Sequence, residues 1–402
     1  MFVISLPALL RSLRFACVLV VCATVGLSQG PEFHARRQAL RNQVHGVIVL
    51  SGNQESLEDI YSARARFFQD PNFFYLTGWQ EPGAKLLLDS RREILFLPPH
   101  DADREKWTGP RHASSDPGIT ELTGFEKVLP LKRFDEELGN ADPTDAATVR
   151  KELARFRMKK SAAEIATIQR SVDATVAAHL AAWKRAAPGV YEYQVAAAMA
   201  AVYLDRGCER GAFAPMVASG PNAVFLHYEI NNRRMQPGEL LLMDVGAECA
   251  GYAADVTRTI PVDGRFTPRQ RELYNTVLGA QKAVIEAVKP GVTIGRETPQ
   301  SLQNVALAWL NSHGHDLHGH PLGKYFTHGI SHHIGLEVHD AADPSAPLEE
   351  GNVISVEPGL YIPEEQIGIR IEDMVLVTRD GVRVLTAALP KEAADIERLM
   401  TQ

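Results

Sequence analysis

The stretch that decides the fold is MDVGAECAGYAADVTRTIPV, residues 243–262. Apolar and β-branched runs at 240–246 and 253–262 flank the segment 248–251, a pattern that predicts an antiparallel hairpin turning at that segment. A turn about the midpoint of Cys249 and Ala250 sets Asp244 opposite Asp255. Opposed residues of an antiparallel pair point to the same face, so we expect the two carboxylates to lie side by side.

A second stretch, residues 352–378, repeats this arrangement. A turn about Glu364 and Glu365 sets Glu357 opposite Glu372, again among apolar residues. Like charges opposed on a sheet are destabilising, and burial raises the pKa of each carboxyl. Divalent cations would remove the conflict, and four carboxylates balance two of them, with oxygen ligands favouring Mn²⁺ or Mg²⁺. The alternative, solvent-facing strand charges, explains one such hairpin better than two.

The segment HGISHHIGLEVHD, residues 328–340, adds histidines to these carboxylates. One imidazole of this segment could complete a metal site, and the others could bind substrate. A helical HExxH zinc motif is not present, because no glutamate follows His328. A pair of neighbouring ions lowers the pKa of a bridging water and polarises a carbonyl. The sequence therefore predicts hydrolysis by a hydroxide that bridges two divalent metals, with Mn²⁺ expected.

Length and composition set the domain organisation. With 402 residues, of which 45% are hydrophobic and 23% charged, the chain is expected to form two globular domains of the α/β (α+β) class. Short apolar runs at 47–50, 85–88 and 93–96 predict a small α/β unit. The segment 138–148, rich in small and polar residues, predicts a linker. We expect helices over 150–187, 192–205 and 268–288. The net charge of −7 gives no electrostatic basis for nucleic-acid binding.

The amino terminus has the pattern of a signal peptide over residues 1–28. Arg11 and Arg14 precede the apolar run FACVLVVCATVGLS, residues 15–28, which ends in small residues. This run is shorter than the ~20 residues that cross a bilayer, so we expect export to the periplasm or medium and no stable membrane anchor. A buried amino-terminal helix is the alternative. Export would leave Cys208 and Cys249, either free or paired.

Five separated motifs resemble the M24 metallopeptidase family, with its pita-bread catalytic fold. They are residues 219–229, 243–262, 328–340, 354–362 and 368–374. Within this family the chain is most similar to the aminopeptidase P (Xaa-Pro aminopeptidase) group, whose amino-terminal domain the segments FFQDPNFFYLTGW (67–79) and EKWTGPR (105–111) also resemble. The resemblance implies an amino-terminal domain over 31–145 and a pita-bread catalytic domain over 155–402.

The resemblance also implies roles for individual residues. The metal ligands would be Asp244, Asp255, His332, Glu357 and Glu372, with Asp255 and Glu372 bridging both ions. Glu357 would also act as base or proton shuttle. The residues expected to contact substrate are His227 and His339, which would also stabilise the tetrahedral intermediate, His328 in the proline pocket, and Trp107, which closes the site and in some relatives does so across a subunit interface. Arg370 shares a strand face with Glu372 and is expected to hold that carboxylate.

The implied substrate is a peptide with proline in second position. Proline offers no N–H, so its site needs a shaped apolar pocket rather than a backbone acceptor. The nearest alternative is prolidase, a dipeptidase on the same scaffold; Ser331 before His332 favours the aminopeptidase. A non-catalytic pita-bread binding protein is disfavoured because all five ligand positions are filled. His333 and Glu337 depart from the usual family pattern. A homodimer or homotetramer is left open.

Overall fold

The computed structural model describes residues 30–55 and 67–401, so the predicted signal peptide lies outside the described residues. The amino-terminal unit is built on a four-stranded sheet whose strands follow chain order; the first three are antiparallel and the last pair is parallel. Its strands are β1 (Ile48–Ser51), β2 (Lys85–Leu88), β3 (Glu93–Leu97) and β4 (Lys127–Pro130). Its helices are α1 (Gly30–Gln43), α2 (Pro71–Thr77), α3 (Ala102–Thr108), α4 (Ile119–Thr123) and α5 (Phe134–Leu138).

Helix α2 shows how the aromatic motif at 67–79 folds. Asp70 caps the helix by accepting a hydrogen bond from the backbone N–H of Phe73, and Pro71 occupies its first turn. Gly78 ends it with φ of 67°, a conformation that glycine adopts without a steric penalty. Phe73 and Leu76 are fully buried in the core. Phe73 of this motif therefore serves packing.

The predicted single helix over 150–187 is wrong, because the chain forms two helices there. These are α6 (Ala146–Met158) and α7 (Ala162–Arg185). Ser161 caps α7 in a reciprocal capping box with Glu164, so a new helix starts where helix propensity alone predicted continuation. Lys159, just before this cap, forms an isolated bridge with Asn352. The next helix, α8 (Glu192–Asp205), has the predicted bounds.

The carboxy-terminal unit consists of short antiparallel strands, the helices α7 and α8 described above, and the helices α9 (Pro268–Ala287), α10 (Leu302–Ser312) and α11 (Ala393–Met400). Helix α9 matches the prediction for 268–288 to within one residue. The strands are β5 (Arg210–Gly211), β6 (Met216–Ser219), β7 (Leu240–Val245), β8 (Ala247–Cys249), β9 (Tyr252–Ala253), β10 (Val256–Pro261), β11 (Val353–Val356), β12 (Gly359–Ile362), β13 (Ile367–Arg370), β14 (Asp373–Thr378) and β15 (Gly381–Val384).

One contiguous apolar core links the two units. It includes Leu76 of α2, Leu153 of α6, Ile168 of α7 and Val256 of β10, all fully buried. Burial at about 25 cal/mol per Å² of apolar surface makes such a shared core the main source of stability. Among residues 30–55 and 67–401, no helix is both long and apolar enough to cross a membrane.

Candidate metal centre

The first hairpin turns one residue later than the sequence predicts. Ala250 and Gly251 form a two-residue turn with φ of 51° and 78°, the primed geometry that matches strand twist. The ladder between β7 and β10 consequently pairs Asp244 with Thr257, so the predicted opposition of Asp244 and Asp255 is wrong. Asp255 lies two residues before Thr257 and therefore on the same face of the sheet. Asp244 and Asp255 are thus diagonal neighbours across the two strands.

Gly246 makes this arrangement sterically feasible. The ladders on both sides share one register, which puts Asp255 across from Gly246. A Cβ atom at Gly246 would lie 1.6 Å from the carbonyl oxygen of Ala254. Only glycine permits such a close approach of two backbones. The site therefore depends on a glycine in the middle of the motif that carries both aspartates.

The second hairpin has the predicted register. Strands β11 and β14 pair Val356 with Asp373, and β12 and β13 pair Gly359 with Arg370, which is one continuous register. Glu357 and Glu372 lie in the interval between these two ladders and across from each other. The prediction for this hairpin is confirmed.

His332 joins the two hairpins. Its backbone N–H donates to Ser355 Oγ (3.0 Å), and the Ser355 N–H donates to the His332 carbonyl (2.9 Å), so β11 holds the histidine in place. Its Nε2 atom lies 3.4 Å from Asp255 Oδ2 and 3.5 Å from Glu357 Oε1. Ligand atoms of Asp255, His332 and Glu372 all lie within 4.8 Å of one another, a spacing that a metal ion could bridge.

Three oxygen atoms in this cluster have no hydrogen-bond partner among the residues described. They are Asp244 Oδ1, Asp255 Oδ1 and Glu372 Oε1, and all three are buried. Buried polar atoms in folded proteins are almost always satisfied, so unpartnered carboxylate oxygens pointing into one cluster indicate an additional ligand. Carboxylate oxygens and one imidazole are the donors that divalent cations such as Mn²⁺ accept. These residues fit the predicted metal ions.

The four carboxyls differ in their electrostatic state. Burial and then the charges of Asp244 and Glu357 raise the pKa of Asp255 well above its ordinary value. Burial and the charge of Asp255 do the same to the pKa of Glu372. Burial also raises the pKa of Glu357, against the opposing effect of His332. Asp244 alone has a lowered pKa, because Arg370 outweighs the effect of burial.

Arg370 contacts a different carboxylate from the predicted one. Its Nη2 donates to Asp244 Oδ2 at 2.5 Å and its Nε to Thr257 Oγ1 at 3.0 Å. Glu372 instead accepts a hydrogen bond from the Thr257 hydroxyl at 2.7 Å. The predicted Arg370–Glu372 bond is therefore wrong, since the long guanidinium reaches past its strand neighbour to the first hairpin. Arg370 connects the two hairpins through Asp244.

Tyr361 extends this network to His328. The Tyr361 hydroxyl accepts a hydrogen bond from Arg370 Nη1 (2.7 Å) and lies 2.8 Å from His328 Nε2. His328 Nδ1 donates to the Gly329 carbonyl at 2.8 Å, so Nε2 is the acceptor of the tyrosine O–H. Burial and the charge of Arg370 lower the pKa of His328 to about 4, which keeps this ring neutral.

Sequence reasoning missed Thr257 and Tyr361. Thr257 lies two residues after Asp255 and so on the same strand face, a signal that could have identified it. Tyr361 stands within the motif at 354–362, but its contact with Arg370 depends on side-chain reach rather than on register. The Thr257 hydroxyl contacts Glu372 and Arg370, and the Tyr361 hydroxyl contacts Arg370 and His328.

A cavity of about 360 Å³ opens onto the cluster. Asp244, Asp255, His332 and Glu357 line it together with side chains from three loops. The remaining lining residues are Phe213, Met216, Leu226, His227, Glu229, His328, Gly329, Ser331, Val338, His339 and Arg370. The structure thus brings together the residues predicted to contact substrate, with one exception.

His227 and His339 stand on the cavity wall. The His339 ring meets the His332 ring edge to face with centroids 4.2 Å apart, and burial and then His332 lower its pKa. His227 is exposed on the loop after β6. Trp107 is the exception: it lies on α3, 68% exposed, and does not line this cavity.

The two cysteines of the described chain form a disulfide. Cys208 follows α8 and bonds to Cys249 of β8. Both are almost fully buried. The bond ties α8 to the hairpin that carries Asp244 and Asp255. Sequence alone left this pairing open.

Comparison with known proteins identifies the family. Residues 166–379 match the metallopeptidase family M24, and residues 33–148 match the amino-terminal domain of aminopeptidase P. The chain belongs to the metallopeptidase family M24. The predicted fold class, a pita-bread catalytic domain preceded by a smaller α/β domain, is confirmed.

Individual proteins similar to this chain point to one group within the family. The chain is similar to the Xaa-Pro aminopeptidase of Haemophilus influenzae, with 35% identity over 381 residues that cover 83% of this chain and 88% of that protein. It is also similar to the Xaa-Pro aminopeptidase of Escherichia coli, with 31% identity over 430 residues that cover 92% of this chain and 97% of that protein. The structure of zinc-substituted E. coli aminopeptidase P in complex with product matches with a TM-score of 0.82 at 30% identity, covering 92% of this chain and 98% of that one.

Proposed function

We propose that this chain is a metal-dependent Xaa-Pro aminopeptidase, which hydrolyses the bond between an amino-terminal residue and a following proline. One observation carries the proposal: unpartnered oxygens of Asp244, Asp255 and Glu372 are buried around His332 beside an open cavity. The names of the H. influenzae and E. coli relatives support the substrate class.

The proposed cofactor is a pair of divalent ions, with Mn²⁺ as the first choice. Such ions, when bound, supply a water of lowered pKa and polarise the scissile carbonyl. Asp244 would hold one ion, His332 and Glu357 the other, and Asp255 and Glu372 would bridge both. Four carboxylates and one imidazole form an oxygen-rich ligand set, which suits Mn²⁺. Structural zinc sites typically use thiolate ligands instead.

Protein side chains would handle the proton and the substrate. Glu357 would take up a proton and return it to the departing proline nitrogen. His227 and His339 stand on the cavity wall, where they would donate hydrogen bonds to the carbonyl oxygen of the cleaved bond.

The cavity wall suits a proline ring. Both ring nitrogens of His328 are engaged, by Gly329 and Tyr361, so this histidine presents its ring rather than a free donor. Four apolar side chains also line the cavity: Phe213, Met216, Leu226 and Val338. A tertiary amide with no N–H fits such a surface without leaving a buried polar group unpaired.

The test is to strip the protein with a chelator, restore Mn²⁺, Co²⁺ or Zn²⁺ separately, and follow release of the first amino acid. Xaa-Pro-Pro tripeptides, Xaa-Pro dipeptides and Xaa-Ala tripeptides serve as substrates. We expect metal-dependent cleavage of the Xaa-Pro tripeptide and little cleavage of Xaa-Ala. Activity confined to the dipeptide would identify a prolidase instead. Full activity after complete chelation would refute the metal-dependent mechanism.

We also propose export, removal of residues 1–28, and domains over 31–145 and 155–402. The leader-like pattern and the buried Cys208–Cys249 disulfide support export, because such bonds persist in oxidising compartments. The check is the intact mass of the protein recovered outside the cytoplasm. A protein found only in the cytoplasm, with its amino terminus intact, would contradict this proposal.

A related proposal is that the exposed Trp107 closes the cavity of a second copy. Light scattering would give the assembly state of the protein. If the proposal holds, Trp107→Ala raises the KM for tripeptides only in an assembled form. A monomer whose KM is unchanged by the substitution would contradict it.

A further inference from the structure

Glu192, the first residue of α8, is a fully buried carboxylate outside the metal cluster. Its Oε1 accepts hydrogen bonds from the backbone N–H and the hydroxyl of Ser219, both at 2.7 Å, and from Asn222 Nδ2 at 3.2 Å. Its Oε2 accepts from the Tyr228 hydroxyl and the Arg233 N–H, both at 2.9 Å. One side chain thus binds a loop at four positions along its length.

This loop, residues 219–233, carries part of the cavity wall. Leu226, His227 and Glu229 line the cavity, and Tyr228, whose hydroxyl reaches Glu192, stands between the last two. His227 is exposed and, among the described residues, its ring has no hydrogen-bond partner to fix it. The direction of the His227 side chain therefore depends on the backbone that Glu192 holds.

The bonding pattern separates this role from ordinary helix capping. An acidic side chain near a helix amino terminus is favoured by the helix dipole, and a capping side chain accepts from N–H groups of its own helix. The donors to Glu192 all come instead from the loop. Arg233 closes the loop from the other end, since its Nη1 donates to Ser219 Oγ at 2.9 Å.

We propose that Glu192 is a positioning residue that orders residues 219–233 and thereby aims His227 at the substrate. The inference rests on the proposed peptidase function. It predicts that Glu192 acts on catalysis through His227 and not through the metal ions, because none of its hydrogen-bond partners is one of the five proposed ligands.

The experiment is a double-mutant cycle between Glu192→Gln and His227→Ala, measured as kcat/KM on an Xaa-Pro tripeptide with the metal content determined for each variant. Glutamine keeps the shape but turns an amide N–H₂ toward the Arg233 N–H or the Ser219 donors. We expect a loss of about 10- to 100-fold in kcat/KM at unchanged metal content. In the His227→Ala background the same substitution should cost little more, because the two residues act as a unit.

Tyr228→Phe is the milder variant, which removes one hydrogen bond next to His227 and serves if Glu192→Gln does not fold. Tyr193→Phe is its matched control: Tyr193 is the neighbour of Glu192 on α8 and 51% exposed. Tyr228→Phe should lower kcat/KM and enter the same cycle with His227→Ala, whereas Tyr193→Phe should leave kcat/KM unchanged.

A fully additive cycle, or a loss explained by lower metal content, would overturn the inference. Amide hydrogen exchange distinguishes this failure from failure of the proposed function. If the wild-type protein cleaves no Xaa-Pro peptide, the proposed function fails, yet faster exchange confined to residues 219–233 in Glu192→Gln would still support positioning of the loop. Unchanged exchange in that segment would refute it.

Discussion

The two hairpins bring two carboxylates each to one centre by different means. The first turns tightly at Ala250 and Gly251, and Arg370 keeps its Asp244 ionised. The second turns through a 3₁₀ segment, Pro363–Glu365, and both of its acids have raised pKa values. The two hairpins thus differ in charge although they are alike in sequence pattern. The guanidinium of Arg370, which belongs to the second hairpin, stabilises Asp244 of the first hairpin. Glu357 and Glu372 of the second hairpin remain available to bind metal ions.

The largest effect should come from removing a proposed ligand. We expect Asp255→Asn and Asp244→Asn each to lower kcat/KM by about 10³-fold or more, which corresponds to roughly 4 kcal/mol. Without metal, the thermal stability of the two variants should diverge. Asp255→Asn should raise the Tm, since it removes the free-energy cost of burying an acid beside Asp244 and Glu357, and Asp244→Asn should lower it, since Arg370 loses its partner.

Calorimetry of the chelated proteins would measure this difference. Glu364→Gln, an exposed acid in the turn of the second hairpin, is the matched control and should change neither activity nor Tm. Equal Tm shifts for the two aspartate variants would mean that the charge difference between the aspartates is absent.

The next effect concerns the connection between the hairpins. Arg370→Met removes the donors to Asp244, Thr257 and Tyr361. Breaking a buried pair in this way is expected to cost about 3–5 kcal/mol of stability, measured by denaturant unfolding. Lysine at position 370 should restore part of the stability but not the forked geometry, so its kcat/KM should stay low. A variant as active as wild type would show that Arg370 does not position Asp244.

The disulfide should matter for the first hairpin only. Its two cysteines are 41 residues apart, and closing such a loop is expected to stabilise the fold by about 2–4 kcal/mol. The double variant Cys208→Ser/Cys249→Ser should lose this stability, and hydrogen exchange should rise in β7–β10 more than in β11–β14. Dithiothreitol should lower the Tm of the wild type but leave the variant unchanged. Equal protection of both hairpins in the variant would contradict this.

The smallest expected effect is a difference between the two hairpins in how stability depends on pH. His179 of α7 is fully buried with its Nε2 3.0 Å from the Val256 carbonyl of the first hairpin, and burial, then Arg258, lowers its pKa to about 3. A depressed histidine pKa gives stability that is present above the unfolded value near 6.5 and lost as the pH falls below it. The loss between pH 7 and pH 5 should be about 2 kcal/mol for this group.

His179→Gln removes the titrating group, so the stability of chelated variant and wild type should converge as the pH falls from 7 to 5. Asp373 gives the corresponding contrast in the second hairpin. Burial opposes its ionisation, but Arg258 and Lys391 hold its pKa well below the ordinary range. This stabilisation is present above the unfolded aspartate pKa of about 3.9 and is lost as the pH falls below it. Parallel pH curves for wild type and His179→Gln would refute the assignment.

Sequence reasoning predicted the second hairpin well because Pro363 and two glutamates mark its turn unambiguously. It misplaced the first turn by one residue, since a turn at Ala250 and Gly251 requires positive φ at an alanine, which composition does not signal. It assigned Arg370 to Glu372 from strand parity, which says nothing about how far a guanidinium reaches. The carboxylate cluster followed from sequence, whereas the hydroxyls of Thr257 and Tyr361 depended on tertiary contacts.

The spacing of the proposed ligands along the chain has a consequence for biosynthesis. They are spread from position 244 to position 372, so the set is complete only when both hairpins and the segment carrying His332 have come together. A nascent chain that has emerged only as far as Asp255 contains two of the five proposed ligands and lacks His332, Glu357 and Glu372. Capture of ions by all five proposed ligands would therefore come after synthesis of the second hairpin and folding of the chain.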